Sequence, residues 1–221
     1  YLVLFISIAL LSWAVSALLD HRFKKYANVY LPMTGCEVAE KMLRDNGIYD
    51  VQVTCTPGHL TDHYDPRNKT VNLSEAVYSS NNVAAAAVAA HECGHAVQHA
   101  FSYAPLNMRS ALVPVVNFAS QWVTWILLGG ILMVETFPQL LLVGIILYAL
   151  TTLFAFITLP VEINASRRAI AWLEQSGITD YQTTPMASSA LRSAAYTYVV
   201  AALSSLGTLI YYILIFTSRR D

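Results

Sequence analysis

Apolar and polar positions in this chain are segregated into long blocks rather than interleaved. Residues 1 to 19, YLVLFISIALLSWAVSALL, carry no charge and are long enough to cross a bilayer core of about 30 Å. A second uncharged run covers residues 111 to 134, and a third covers 140 to 159 after the short break ETFPQ. These two read as a transmembrane hairpin. Asn117 and Gln121 lie one helical turn apart, which predicts that the first half of the hairpin faces protein. A fourth apolar run extends over 194 to 217. The first run is followed, not preceded, by basic residues at Arg22, Lys24 and Lys25, which predicts an uncleaved anchor instead of a signal peptide.

Between the first two runs the pattern changes. Thr34 is placed to cap a helix through GCEVAEKMLRDN, with Gly47 as its stop. YDVQVTC, HLTDHY and KTVNLS then read as three short strands separated by turn-forming TPG and DPRNK. Ser80, Asn81 or Asn82 begins a long helix, NVAAAAVAAHECGHAVQHAF, whose alanine-rich half favours helix and allows close packing. The expected organisation is an anchor over 1–20, a polar α+β region over 21–110, a transmembrane hairpin over 111–159, a further helical stretch over 160–193 and a last span over 194–217. The fold class is a mainly α membrane protein: about four transmembrane helices plus a small α+β domain.

Composition agrees. Only 12 % of the 221 residues are charged and 56 % are hydrophobic, whereas a soluble domain carries roughly 25 % charged residues. The net charge of −1 includes no basic stripe, so nucleic acid is not an expected partner. Cys36, Cys55 and Cys93 form no CxxC pair and suggest no disulfide framework. Arg22, Lys24, Lys25, Arg109, Arg167, Arg168 and Arg192 would share one membrane side, against Arg219 and Arg220 on the other. That balance predicts a cytoplasmic polar domain.

The chemistry is concentrated in AAHECGHAVQHA, residues 89 to 100. His91 and His95 are four residues apart, hence on one helix face about 6 Å from each other. The pattern His-Glu-x-x-His is a zinc-protease signature. Glu92 is rotated about 100° from His91, placing it to reach a metal-bound water as general base. His99 lies about 12 Å along the axis from His91, too far to share an ion on a continuous helix. Cys93 points off the ligand face and reads as a buried residue. A third ligand must therefore come from elsewhere. Glu162, in TLPVEINASRRAI at the end of the third apolar run, is the best placed candidate, because a carboxylate beside a span is costly without a role or partner. Asp62, Asp65 and Glu75 remain alternatives, and Glu135 falls on the far side of the hairpin. His59 and His63 would point to opposite faces of a strand. Their segment reads either as a polar turn or as a cleft wall that pairs with a peptide backbone.

LTDHYDPRNKTVNLS, VAAHECGHAVQHA and LPVEINASRRA together resemble the YugP-type bacterial membrane zinc metallopeptidases, which are similar in their core to gluzincin membrane proteases that include the CAAX-processing enzymes. The resemblance implies one Zn2+ held by His91, His95 and Glu162, with Glu92 as general base. It also implies a multi-pass protein of the bacterial cell membrane acting on protein or peptide substrates that can themselves be membrane-associated. The CAAX-type relatives carry an aspartate four residues after the ligand glutamate. Ser166 stands at that position here, with Asn164 two residues after Glu162, so the outer shell departs from theirs. His63 and Tyr64 are further candidates for supporting the site or binding substrate. Tyr196, Tyr198 and His63 are candidates for stabilising an oxyanion. The expected function is zinc-dependent endopeptidase. Two other classes compete: a non-catalytic zinc-binding assembly protein, and a transporter suggested by Asn117 and Gln121.

Overall fold

The structure is a computed structural model that describes residues 2–58 and 60–218. His59, Arg219 and Arg220, used above, lie outside the described residues. Seven helices and a three-stranded sheet are seen among them: α1 (Leu2–Tyr26), α2 (Gly35–Asp45), β1 (Gln52–Thr56), β2 (His63–Asp65), β3 (Thr70–Ser74), α3 (Glu75–Tyr78), α4 (Val83–Ala100), α5 (Ala104–Leu132), α6 (Pro138–Gln175) and α7 (Thr183–Thr217). α1, α5, α6 and α7 are long and apolar enough to cross a membrane. Their exposed faces carry large apolar side chains, among them Leu10 and Trp13 on α1 and Phe118, Trp122 and Trp125 on α5, as a lipid-facing surface requires.

The local signals in the polar region act as expected. Thr34 accepts the Glu37 backbone N–H at 3.3 Å while Glu37 Oε2 accepts the Thr34 N–H at 2.7 Å, a reciprocal cap that satisfies two orphan donors of α2. Gly47 stops the helix with φ of 71°, a conformation costly for any residue with a Cβ. Asn82 caps α4 by accepting from Ala85 N at 2.9 Å. β1 pairs with β3 in parallel, and β2 pairs with β3 antiparallel, giving the order β1-β3-β2. β2 is therefore an edge strand.

Two expectations about the apolar helices change. The stretch 160–193 is not a helix of its own: α6 continues unbroken from the third apolar run through Pro160 to Gln175, and α7 begins at Thr183. Neighbouring elements hold that continuity. Val161, Glu162, Ala165 and Ala169 beyond the proline are all buried. The first half of α5 also turns differently. Asn117 and Gln121 are exposed, while Ala119, Val123 and Leu127, spaced four apart, are buried.

Two cores result. One gathers α2, β3 and α4 with the far end of α6 and the start of α7, around Val38, Met42, Val71, Leu73, Val97, Leu173 and Leu191. The other joins Val123 and Leu127 of α5 to Leu141 and Ile145 of α6. α6 and α7 pass from one to the other and tie the polar region to the apolar helices.

α4 is buried on almost every side, and one residue sets how closely it meets α6. A Cβ on Gly94 would stand 2.7 Å from the carbonyl oxygen of Ala165 and 3.1 Å from its Cα. Both obstacles are backbone, so neither can rotate away. Replacing Gly94 by leucine forces the helices apart; overpacking of this kind costs about 1–3 kcal/mol or more. The expected result for Gly94→Leu is a lower thermal midpoint in detergent together with loss of bound zinc, measured by thermal unfolding and metal analysis.

Candidate metal centre

His91 and His95 project from α4 and Glu162 from the facing stretch of α6. The two helices run antiparallel here: His91 meets Ser166, whereas Gln98 meets Val161 and Asn164. Glu162 Oε2 lies 3.2 Å from His91 Nε2 and 3.5 Å from His95 Nε2. One ligand atom from each of the three residues falls within 4.8 Å of the others. A tetrahedral zinc shell with bonds of 2.0–2.2 Å has edges of about 3.3–3.6 Å. The two Glu162–histidine separations match such an edge, and two imidazole nitrogens with a carboxylate oxygen are donor types that suit Zn2+.

The other ring nitrogens are held from behind. Gln98 is fully buried, and its Nε2 donates to Val161 O at 2.8 Å and to Asn164 Oδ1 at 3.0 Å. Its amide is thereby oriented, leaving Oε1 to accept from His95 Nδ1 at 3.1 Å. That leaves the lone pair of His95 on Nε2, aimed at the cluster. Asn164 Oδ1 also accepts from Arg168 Nε at 2.8 Å. Ser166 Oγ stands 3.1 Å from His91 Nδ1. Such outer partners set ring orientation and tautomer in metal sites. Ser166 is thus placed where it can serve the first histidine, and Asn164 serves the second through Gln98.

Two of the competing carboxylates are held by other partners. Asp62 accepts from Ser74 N at 2.7 Å and Ser74 Oγ at 3.1 Å, and Asp65 accepts from Arg67 N at 2.8 Å in the following turn. Cys93 faces α2, with its thiol 3.5 Å from Ala39 O, and burial pushes that thiol well above its ordinary pKa. His99 is exposed at the end of α4, with Nδ1 2.8 Å from the Tyr64 hydroxyl.

Glu92 is buried, and its Oε2 accepts the backbone N–H of Tyr64 at 3.1 Å. That N–H is on the open edge of β2, so this donor of the strand orients Glu92 and is not free for a bound peptide. His63 is tied to its own strand, with Nδ1 2.7 Å from Thr61 O and Nε2 3.2 Å from Asn72 Nδ2. A cleft of about 650 Å³ between β2, α4 and α5 opens on His91, Glu92, His95 and Glu162. A second cavity of about 400 Å³, walled by α1 and α7 at Leu19, Phe23, Leu191 and Ala195, reaches the same cluster from the other side. Tyr198 lines both cavities, whereas Tyr196 lies apart from them beside Arg22 and Arg192.

Two residues of this site escaped the sequence reading. Gln98 had a signal, a lone amide three residues after His95 on an otherwise apolar face. Arg109 of α5, whose Nη1 is 3.8 Å from Glu162 Oε1, had none beyond its charge.

Helices long and apolar enough to cross a membrane, packed with a helix that carries His-Glu-x-x-His, suit a membrane metallopeptidase. The chain belongs to the family described as "Putative neutral zinc metallopeptidase", whose model matches residues 1–217. It is 44 % identical over 201 residues to "Putative membrane protease YugP" of Bacillus subtilis (strain 168), covering 90 % of this chain and 88 % of that protein. No solved structure matches it. Zinc is accordingly the cofactor, and the cluster of His91, His95 and Glu162 is where the described residues could hold it.

Burial alone would lower the pKa of His95; hydrogen bonding to Glu162 and the nearby Glu92 charge outweigh it and leave the metal-free imidazole above its ordinary value. A raised pKa means the proton holds the site more tightly, so protons compete with metal below it. Zinc binding is expected to release protons and to weaken as pH falls from 7.5 toward 5.5. Metal titrations in two buffers of different ionisation enthalpy check both statements.

Proposed function

We propose that this protein is a membrane-embedded zinc endopeptidase of the gluzincin type, with His91, His95 and Glu162 holding the metal and Glu92 acting as general base. The observation that carries the reading is the convergence of two histidines from α4 and a carboxylate from α6, with Glu92 beside them in an open cleft. When bound, zinc supplies a Lewis acid and lowers the pKa of a water molecule to about 7.

The chain's own groups perform the rest. Tyr64 N–H holds Glu92 Oε2, which leaves Oε1 as the oxygen able to take a proton from the attacking water. Glu92 then carries that proton to the leaving amine nitrogen as the C–N bond breaks. Ser166 and Gln98 keep the two imidazoles turned toward the cluster. His63, Tyr64 and Arg67 line one wall of the cleft and guide an extended peptide across it by side-chain contact, since the Tyr64 N–H is held by Glu92.

Four spans put both ends of the apolar bundle on one side, and Arg22, Lys24, Lys25, Arg109, Arg167, Arg168 and Arg192 lie toward the polar region. This supports a multi-pass protein with the catalytic region in the cytoplasm. Leu19, the last residue of the uncharged run, and Asp20, the first charged residue after it, both line the α1–α7 cavity. The substrate is accordingly a protein or peptide met at the membrane boundary. A non-catalytic zinc protein is the weaker reading, because structural sites are closed by four protein ligands and three gather among the described residues here.

Glu92→Gln is expected to keep stoichiometric zinc while lowering cleavage of an unfolded protein by at least about 10²-fold. Metal analysis and gel-based proteolysis check it; undiminished cleavage by the variant would contradict the mechanism.

A further inference from the structure

The geometry points to Arg109 as the donor that holds the oxygen of the scissile carbonyl as negative charge develops on it. This inference rests on the peptidase reading above and adds a catalytic residue to it. Arg109 is carried by the first turns of α5 and lines the same cleft as His91, Glu92, His95 and Glu162. Its Nη1 is 3.8 Å from Glu162 Oε1, longer than a hydrogen bond. Its Nε is buried and has no hydrogen-bond partner among the described residues. With Nε closed off and the side chain 32 % exposed, the Nη groups are the donors open to the cleft, and guanidinium N–H groups of this kind are what arginine uses to grip oxygen.

The reaction supplies an acceptor for these open donors. Water adds to the carbonyl carbon, its proton passes to Glu92, and the carbonyl π pair moves onto oxygen. The total charge is unchanged, but one negative charge has moved from Glu92 to the substrate oxygen. There it would stand near the carboxylate of Glu162, and a fixed cation at that point offsets the repulsion. When the C–N bond breaks, the C=O bond re-forms and the proton on Glu92 goes to the leaving nitrogen. Arg109 thus gains its strongest interaction only in the tetrahedral state, which is the condition for accelerating the step.

The test uses the zinc-loaded full chain in detergent with Arg109→Gln, Arg109→Lys and Tyr198→Phe. The readouts are cleavage, zinc content, and the affinities of a phosphinic peptide, which mimics the tetrahedral state, and of a peptide hydroxamate, which binds metal without a tetrahedral oxygen. For Arg109→Gln, kcat/KM and phosphinic-peptide affinity are expected to fall together by about 10²–10³-fold. Zinc content and hydroxamate affinity stay near those of the unaltered protein, and Arg109→Lys recovers part of the loss. The proposal is overturned if phosphinic affinity survives Arg109→Gln, if zinc is lost with it, or if Tyr198→Phe takes the parallel loss instead. If the unaltered, zinc-loaded protein neither cleaves nor binds the phosphinic peptide, the peptidase reading fails and takes this role with it.

Discussion

The close contact of α4 with α6 at Gly94 and Ala165 is the constraint on which the rest of this structure depends. With a Cβ excluded from that point by backbone atoms, the helix axes approach until side chains one turn away can share a single small volume. Glu162, Ala165, Ser166 and Ala169 form one stripe of α6, and His91, Gly94, His95 and Gln98 form the opposing stripe of α4. Glycine inside a helix costs about 1 kcal/mol relative to alanine. That local loss is offset by the packing it allows.

Burying polar groups at this interface demands that each be satisfied. The Gln98 amide answers that demand for His95, and the Ser166 hydroxyl does so for His91. Arg168 and Asn164 extend the network toward the polar end of α6. The positively charged Arg109 approaches the buried Glu162 from α5, so the cluster draws on a third helix for electrostatic balance. The site is consequently a property of the helix assembly, and neither α4 nor α6 could form it alone.

Much of this was legible beforehand because its causes are local. The cap at Thr34, a cap among Ser80, Asn81 and Asn82, the stop at Gly47, the four apolar runs and the spacing of His91 and His95 all follow from short-range chemistry. Helix geometry also separated His99 from the pair, and it lies exposed on Tyr64. What was not legible depends on three-dimensional packing. The third apolar run ends at residue 159, yet the buried residues beyond Pro160 belong to the same continuous α6. Asn117 and Gln121 looked like an inward face, but Ala119, Val123 and Leu127 make the contact with α6. Glu162 could be favoured over Asp62 and Asp65 only by argument from the span; the structure adds that the latter two are spent on Ser74 and Arg67. Arg109 carried no pattern at all, since its approach to Glu162 depends on how α5 packs beside α6.

The central claim is that a glutamate from α6, some 67 residues after His95, completes the shell begun on α4. Anomalous diffraction at the zinc edge from crystals of the metal-loaded protein tests it most directly. The account predicts His91 Nε2, His95 Nε2 and a Glu162 oxygen each at about 2.0–2.2 Å from the ion, with Glu92 outside the shell. An ion bound by the two histidines without Glu162, or closed by a fourth protein ligand, would contradict it.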